Sequence, residues 1–288
     1  MLLLLALACT PSEESDPLLY DAARTGLEGA NGPWGVHLRT ADGGGNPPAD
    51  VFVPTDVAGA PADVGFAAAT VVLIQGAGVV PTRVHWLAVH LASRGAVVLV
   101  PHHAFDAADL DVDAGARALA AAVDAGDVDA AVPVGVLGHG LGGQVASTWW
   151  AEDEAVGGLA LLGAAPADDA PVEDRVTGSV IAIVGSADKV ATHDHVVEDM
   201  TRLNLIHADV MVAGMNHYDW TDFVSEGELA RDGAAAADLD AVRKDAQWAL
   251  AGWVDSCLTS SVGTWPFYRA AHAELVDGDP CELMVMGG

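Results

Sequence analysis

The feature that most constrains the fold is a glycine-rich turn between an apolar run and a helical stretch. The run Val132 to Leu137 leads into Gly138-His139-Gly140-Leu141-Gly142-Gly143, and helix-forming residues follow from Gln144 to Trp150. A strand, a tight turn and a helix in this order are the context of the G-x-S-x-G pattern, whose strained turn exposes a nucleophilic serine. In this chain glycine occupies the serine position, at residue 140.

From Thr70 onward, short apolar runs alternate with segments of helical periodicity. Continuous apolar runs are typical of strands covered on both faces, and their alternation with helices indicates a mainly parallel sheet. The predicted strands are Thr70 to Ile74, Ala96 to Val100, Val134 to Leu137, Leu159 to Leu162, Val180 to Val184 and Val210 to Val212. Besides the helix after the turn, the predicted helices are one through Val84, Leu87, Ala88 and Leu91 with Thr82 as its cap, one from Val112 to Val123, and one from about Ala234 to Val254.

Two alternating segments precede this pattern. Val36 to Arg39 and Val51 to Val53 are separated by a cluster rich in Gly and Pro, which predicts an antiparallel hairpin. Little sequence separates the strand ending near Leu162 from the one beginning near Val180, so no large lid is expected there. The predicted fold class is therefore α/β, with a mainly parallel central sheet flanked by helices and an N-terminal antiparallel hairpin.

Two polar loops follow predicted strands downstream of the turn. Gly185-Ser186-Ala187-Asp188 comes after one strand, and Gly214-Met215-Asn216-His217-Tyr218 comes after the last. A serine hydrolase needs, besides its nucleophile, a base, a carboxylate that orients the base, and donors for the oxyanion. Taken alone, Asp188 could be a turn or capping residue and His217 a loop histidine bonded to backbone.

These ordered motifs resemble those of α/β-hydrolases, and most of all the compact bacterial esterases of the dienelactone hydrolase, chlorophyllase and polyester-hydrolase kind. The resemblance implies that Asp188 is the orienting acid and His217 the base. It also implies that the backbone N–H groups of Ala77 and Leu141 are the oxyanion donors. The ligand it implies is a small ester-like molecule.

Gly140 removes the atom that would attack a carbonyl carbon, while glycine adopts the strained backbone of such a turn at lower cost than serine. No substitute nucleophile is found among the side chains that were considered, namely His139, Ser147, Thr148 and Cys9. Three hypotheses stay open. The chain is a ligand-binding or weakly active member of the family, or a hydrolase in which His217 and Asp188 activate water, or a surface or assembly protein with a relic pocket.

Histidines occur in two further clusters, His102-His103 and His193-Asp194-His195. Neither cluster has the ligand spacing of a zinc site, and Thr192 is expected to cap a helix that begins at the second cluster. The sequence therefore predicts no metal and no cofactor.

Charge restricts the partners. The formal net charge is −29, from 41 acidic and 12 basic residues. Such a surface repels nucleic acid and anionic lipid headgroups, so no nucleic-acid partner is expected. Membrane contact is expected only through a lipid anchor.

The chain ends carry the signals of export. Residues 1–9 resemble an export segment with a lipobox-type Cys9, and residues 10–34 a tether; an ordinary cleaved signal is the alternative. Residues 35–256 are the predicted α/β-hydrolase domain, and residues 257–288 a C-terminal extension. Export permits a disulfide between the other two cysteines, Cys257 and Cys281, with two buried thiols as the alternative. We expect a cell-envelope lipoprotein or a secreted protein.

Overall fold

The computed structural model describes residues 32, 34–41, 48–55, 69–102, 112–205, 207–234, 236 and 238–258. The strands are β1 (Gly35–Ala41), β2 (Ala49–Thr55), β3 (Ala69–Ile74), β4 (Ala96–Pro101), β5 (Val134–His139), β6 (Val156–Leu162), β7 (Ser179–Gly185) and β8 (His207–Val212). They form one eight-stranded sheet in the order β1-β2-β4-β3-β5-β6-β7-β8. Strands β3 to β8 pair in parallel, whereas β1 pairs with β2, and β2 with β4, in antiparallel fashion.

Helices cover both faces of this sheet. They are α1 (His85–Ser93), α2 (Val112–Asp124), α3 (Leu141–Glu152), α4 (His193–Met200), α5 (Glu226–Asp232) and α6 (Leu239–Leu258). The architecture confirms the predicted α/β fold class with its N-terminal antiparallel pair of strands. Residues 163–178, between β6 and β7, hold only the short 3-10 turn Val172–Asp174, in agreement with the prediction that no large lid lies there.

Each face of the sheet has its own apolar core, because successive side chains of a strand point to opposite faces. Val71 and Leu73 of β3 belong to the core that includes α1 and α6. Val72 and Ile74 belong to the core that includes α2, α3 and α4. The continuous apolar runs of the sequence thus serve two cores at once.

Two predicted helix starts are wrong. Thr82 does not cap α1, because Pro81–Val84 form a 3-10 turn and Val84 is the residue before the helix. Proline suits the first position of such a turn, since its missing N–H has no partner there in any case. The last helix begins at Leu239 rather than near Ala234, since Gly233, at φ 104°, ends the separate helix α5 first.

Several predictions fall outside the described residues. These are the export segment with Cys9, the tether as far as residue 31, and the pairing of Cys257 with Cys281. Residues 32 and 34 of the predicted tether are described, and the N–H groups of Gly32 and Trp34 donate to Ser93 at the end of α1. Within the described ranges, no helix has both the length and the apolar content needed to cross a bilayer.

Trp253 is a large buried side chain of α6 that packs against the sheet, and we predict that its removal destabilises the protein strongly. A Cβ at Gly135 of β5 would lie 2.8 Å from the Trp253 ring, so the ring fills the space that this glycine leaves. We expect Trp253→Ala to lower the free energy of unfolding by about 3–5 kcal/mol in denaturant titration. Val176→Ala, at a position 76% exposed, is the control and should change it by less than about 0.5 kcal/mol. Equal effects of the two variants would contradict this account of the core.

Candidate active site

The turn between β5 and α3 has the backbone of a nucleophile elbow. Gly140 has φ 53° and ψ −123°, a region that costs a non-glycine residue roughly 1–3 kcal/mol. Its N–H donates to the carbonyl of Leu162 over 3.1 Å, and its own carbonyl accepts from Gly143 over 2.9 Å. A Cβ at Gly142 would lie 2.3 Å from the carbonyl oxygen of Ile74, so the start of α3 approaches the end of β3 too closely for any side chain.

The structure brings Asp188, His217 and Gly140 together. Nδ1 of His217 lies 3.0 Å from Oδ2 of Asp188, and both residues are about 5% exposed. A Cβ built on Gly140 would lie 3.2 Å from Nε2 of His217 and 3.5 Å from its Cε1. The imidazole therefore faces the position that the missing side chain would occupy.

The carboxylate of Asp188 is held so that one oxygen is left for the histidine. Its Oδ1 accepts the N–H groups of Val190 at 2.8 Å and Ala191 at 2.7 Å, while Oδ2 faces the imidazole. Gly163, at φ 50°, provides the room, since a Cβ there would lie 2.8 Å from Oδ2 of Asp188 and 3.0 Å from Nδ1 of His217.

This arrangement fixes what the imidazole can do. A neutral imidazole that donates its Nδ1–H to Asp188 presents the lone pair of Nε2 toward Gly140. Nε2 can then accept a hydrogen bond from a ligand or take a proton from a water molecule. Among the described residues, Nε2 has no hydrogen-bond partner of its own.

His139 supports the loop that carries His217. Its ring is 1% exposed, and its Nε2 lies 2.9 Å from the carbonyl oxygen of His217, to which it donates. Burial, reinforced by the neighbouring His217, lowers the pKa of His139 to about 3. The side chain is therefore neutral at physiological pH and acts as a fixed donor.

The predicted oxyanion donors lie on adjoining segments. Leu141 is the first residue of α3, where backbone N–H groups have no partner within the helix. A Cβ at Gly76 would lie 3.0 Å from the carbonyl oxygen of His139, so the loop that carries Ala77 passes directly beside the elbow. Gln75 is fully buried and donates to the carbonyl of Pro101 over 2.9 Å, so its side-chain amide braces β4.

The other side chains considered as nucleophiles or ligands have different partners. Ser147 is buried, donates to the Gln144 carbonyl and accepts from the N–H of Ala167, and Thr148 also donates to the Gln144 carbonyl. Thr192 precedes α4 as predicted, but its side chain makes no capping hydrogen bond. In the described part of the chain, no group of three or more His, Cys, Asp or Glu is arranged to hold a metal ion.

His102 lies at the same edge of the sheet but belongs to another network. Its Nε2 is 3.1 Å from Oδ1 of Asp50, whose Oδ2 is 2.9 Å from Nε2 of His85. Burial alone would raise the pKa of Asp50. The hydrogen bonds from His102, His85 and Thr40 together outweigh this effect, so the pKa lies below its ordinary value. The network joins β2 to α1 and to the end of β4. His103 lies outside the described residues.

Arg83 is a buried residue of this region that sequence reasoning missed. Its guanidinium bonds both carboxylate oxygens of Glu228, at 2.9 and 3.0 Å, and the hydroxyl of Thr221, at 2.9 Å. It also donates to the carbonyl of Phe223 and lies 4.4 Å from the centre of the Phe223 ring. Burial opposes ionisation of Glu228, yet its hydrogen bonds with Arg83 and Ser225 lower its pKa to about 2. Arg83 thus ties the segment after β3 to the segment after the histidine.

One member of this cluster, Glu228, belongs to a pattern that is visible in the sequence. Ser225 and Glu228 form a capping box at the start of α5, a spacing that can be recognised without coordinates. No local pattern, however, pairs Arg83 with a glutamate 145 positions later.

Comparison with known proteins agrees with the fold. Residues 70–243, more than half of the chain, match the sequence model described as the Alpha/beta hydrolase family. A search of the curated proteins finds no match.

Two buried histidines predict how stability depends on pH. Burial lowers the pKa of His139 from 6.5 to about 3 and that of His90 to about 4, so the unfolded chain binds protons that the native protein does not. Stability should therefore fall as the pH falls below about 6.5, by at most about 1.4 kcal/mol per pH unit for each histidine. His139→Gln keeps a donor for the His217 carbonyl and cannot be protonated, so its unfolding free energy should vary less steeply with pH. An unchanged slope between native and variant protein would refute the prediction.

Proposed function

We propose that this chain, which belongs to the α/β-hydrolase family, descends from carboxylic-ester hydrolases and binds a small ester-like ligand without forming an acyl-enzyme. The observation that carries the proposal is the orientation of the His217 imidazole, whose Nε2 faces residue 140. Its Nε2 would lie 3.2 Å from a Cβ at Gly140, while Nδ1 is bonded to Asp188. The imidazole and the carboxylate are thus hydrogen-bonded to each other beside a residue that has no attacking atom.

Covalent attack on an ester needs a hydroxyl at residue 140, whereas binding of the ester carbonyl does not. Without an oxygen at residue 140 no acyl group can be transferred from an ester to the protein there, and deletion of a triad serine lowers kcat by about a million-fold in a protease. The backbone groups that would receive a carbonyl oxygen do not depend on that side chain. A ligand carbonyl can therefore be held at Ala77 and Leu141 without being attacked by the protein.

The surroundings favour an uncharged, partly apolar ligand. Three of the exposed large apolar side chains in the described residues, Leu141, Val190 and Phe223, lie on the segments that carry the site. Leu141 follows Gly140 directly, and the N–H of Val190 donates to Asp188. The net charge of −29 disfavours a carboxylate or phosphate ligand. A short-chain ester or a lactone has the matching chemistry.

A second candidate function is hydrolysis by water, and the direction of Nε2 favours it. The volume freed by the absent CH₂OH group is close to that of one water molecule, roughly 30 Å³ in the liquid. Such a water would give its proton to Nε2 while its oxygen attacks the ester carbonyl, and the imidazolium would then protonate the leaving alkoxide. The reaction would have no covalent intermediate and would be slow.

The decisive experiment restores the hydroxyl. We expect Gly140→Ser to be acylated by p-nitrophenyl acetate and labelled by a fluorophosphonate, after His217 moves by a few tenths of an ångström to admit the new Cβ. Its release of nitrophenol should exceed that of the native protein by roughly 10²-fold or more, given what a triad serine contributes. Gly140→Ala is the matched control, since it adds the same Cβ and the same backbone strain without an oxygen.

The outcomes separate the functions. Labelling of Gly140→Ser, together with binding of a short methyl ketone by the native protein that shifts the His217 NMR signals, supports a ligand-binding protein. Native turnover that His217→Ala abolishes supports hydrolysis by water. A folded Gly140→Ser variant without labelling, in a protein that does not bind the ketone, would overturn both and favour a surface protein with a relic pocket.

The proposal includes export and attachment of lipid at Cys9, which the sequence predicts. Expression of the full chain in a bacterium should yield a membrane-extracted form whose N-terminal peptide begins at Cys9 and carries acyl chains in mass spectrometry. The Cys9→Ala variant should lose that form. Recovery of an unprocessed N-terminus from the cytoplasm would contradict this placement.

A further inference from the structure

The C-terminal end of α5 and the residues that follow it contact three of the four residues of the turn that carries His217. The turn His217–Trp220 is itself capped by Asn216, which also forms a capping box with Asp219. The contacts between the two segments are Arg231 with the Tyr218 hydroxyl at 3.0 Å, Asp232 with the His217 N–H, Asn216 with the Ala234 carbonyl at 2.9 Å, and the Ala236 N–H with Asp219 at 3.2 Å. The end of α5 and the segment after it are therefore packed directly against the histidine turn.

Asp232 differs from its neighbours in that it also reaches the loop of the acid. Its Oδ2 accepts the backbone N–H of His217, and its Oδ1 accepts the backbone N–H of Lys189 over 2.8 Å. Lys189 directly follows Asp188 in the chain. Asp232 is 2% exposed, so both of these charge-assisted hydrogen bonds are shielded from water.

The main chain of His217 is held from two sides. Its N–H donates to Asp232, and its carbonyl accepts from Nε2 of His139, which belongs to the elbow strand. One side chain thus ties the base to the vacated position, and the other ties the base to its acid.

We propose that Asp232 is a positioning residue that joins the acid loop to the base loop, holds the His217–Asp188 hydrogen bond and so keeps Nε2 directed at residue 140. Asp232 does not touch the ligand position itself. The inference deepens the proposed function, since a correctly aimed Nε2 is what a ligand at this site would meet. It concerns the free protein, so it can be tested without a ligand.

The first test replaces the carboxylate by its isosteric amide. In Asp232→Asn one of the two backbone N–H groups loses its acceptor and faces an amide NH₂ instead. With ¹⁵N-labelled histidine, the native protein should show a slowly exchanging, downfield Nδ1 proton on His217, and the variant should lose it. The pH midpoint of the His217 titration should move at the same time. Glu226→Gln, an exposed acid at the start of the same helix, is the matched control and should leave both signals unchanged.

The second test measures how the position of His217 affects the rate of acylation. In a Gly140→Ser background, we expect Asp232→Asn to slow acylation roughly 10–100-fold, as for a misplacement of a reacting group by about 1 Å. The pH profile of acylation should shift with the His217 midpoint, which a loss of general stability would not produce. Should Gly140→Ser prove inactive, the proposed function fails, but the NMR comparison still decides on Asp232.

A third measurement uses the native protein and needs no folded variant. If Asp232 ties the two loops, the amide hydrogens of Lys189 and His217 should both be protected from exchange and should open in the same event. Free exchange of either amide would overturn the proposal. So would a folded Asp232→Asn protein that keeps the Nδ1 proton and the titration midpoint of His217.

Discussion

The site depends on how closely the backbone approaches itself at the elbow. The end of β5, the start of α3 and the end of β3 meet at distances that no side chain tolerates, since a Cβ at Gly138 would lie 2.2 Å from the Gly142 carbonyl oxygen. This contact fixes where residue 140 lies relative to the loops after β6, β7 and β8. Gly163 and Gly185 extend the same constraint, because a Cβ at Gly185 would lie 1.9 Å from the carbonyl oxygen of Met215. Backbone packing, rather than the side chain at residue 140, therefore assembles the site.

Much of the fold follows from local sequence. Continuous apolar runs such as Thr70 to Ile74 identify the strands, and parallel strands place the loops with Asp188 and His217 at one edge of the sheet. Helix starts were predicted less well, because the cap at Thr82 competes with the preference of Pro81 for the first position of a turn. The contacts that hold the site were not predictable. Arg83 with Glu228, and Asp232 with His217 and Lys189, join residues far apart in the chain, and no local pattern encodes them.

Buried polar groups destabilise a fold unless they are hydrogen-bonded, so the bonds that they make show what holds the site together. His139 is neutral and donates to a carbonyl, Asp188 accepts two backbone N–H groups, and Asp232 accepts two more. Each of these bonds positions main chain around His217 and none needs a residue at position 140. The network therefore keeps its shape with glycine at residue 140. This independence explains how the hydrogen-bonded pair of Asp188 and His217 coexists with a glycine at residue 140.

The change from serine to glycine at an elbow alters stability and chemistry in opposite directions. At φ 53° and ψ −123°, a serine would add roughly 1–3 kcal/mol of strain and would press its Cβ against the imidazole at 3.2 Å. Glycine removes both costs and, with them, the covalent route. A chain under selection for a stable fold and for ligand binding gains from that exchange, whereas a chain under selection for turnover loses nearly all of its rate. The identity of residue 140, rather than its conformation, is therefore the basis for proposing ligand binding over covalent hydrolysis.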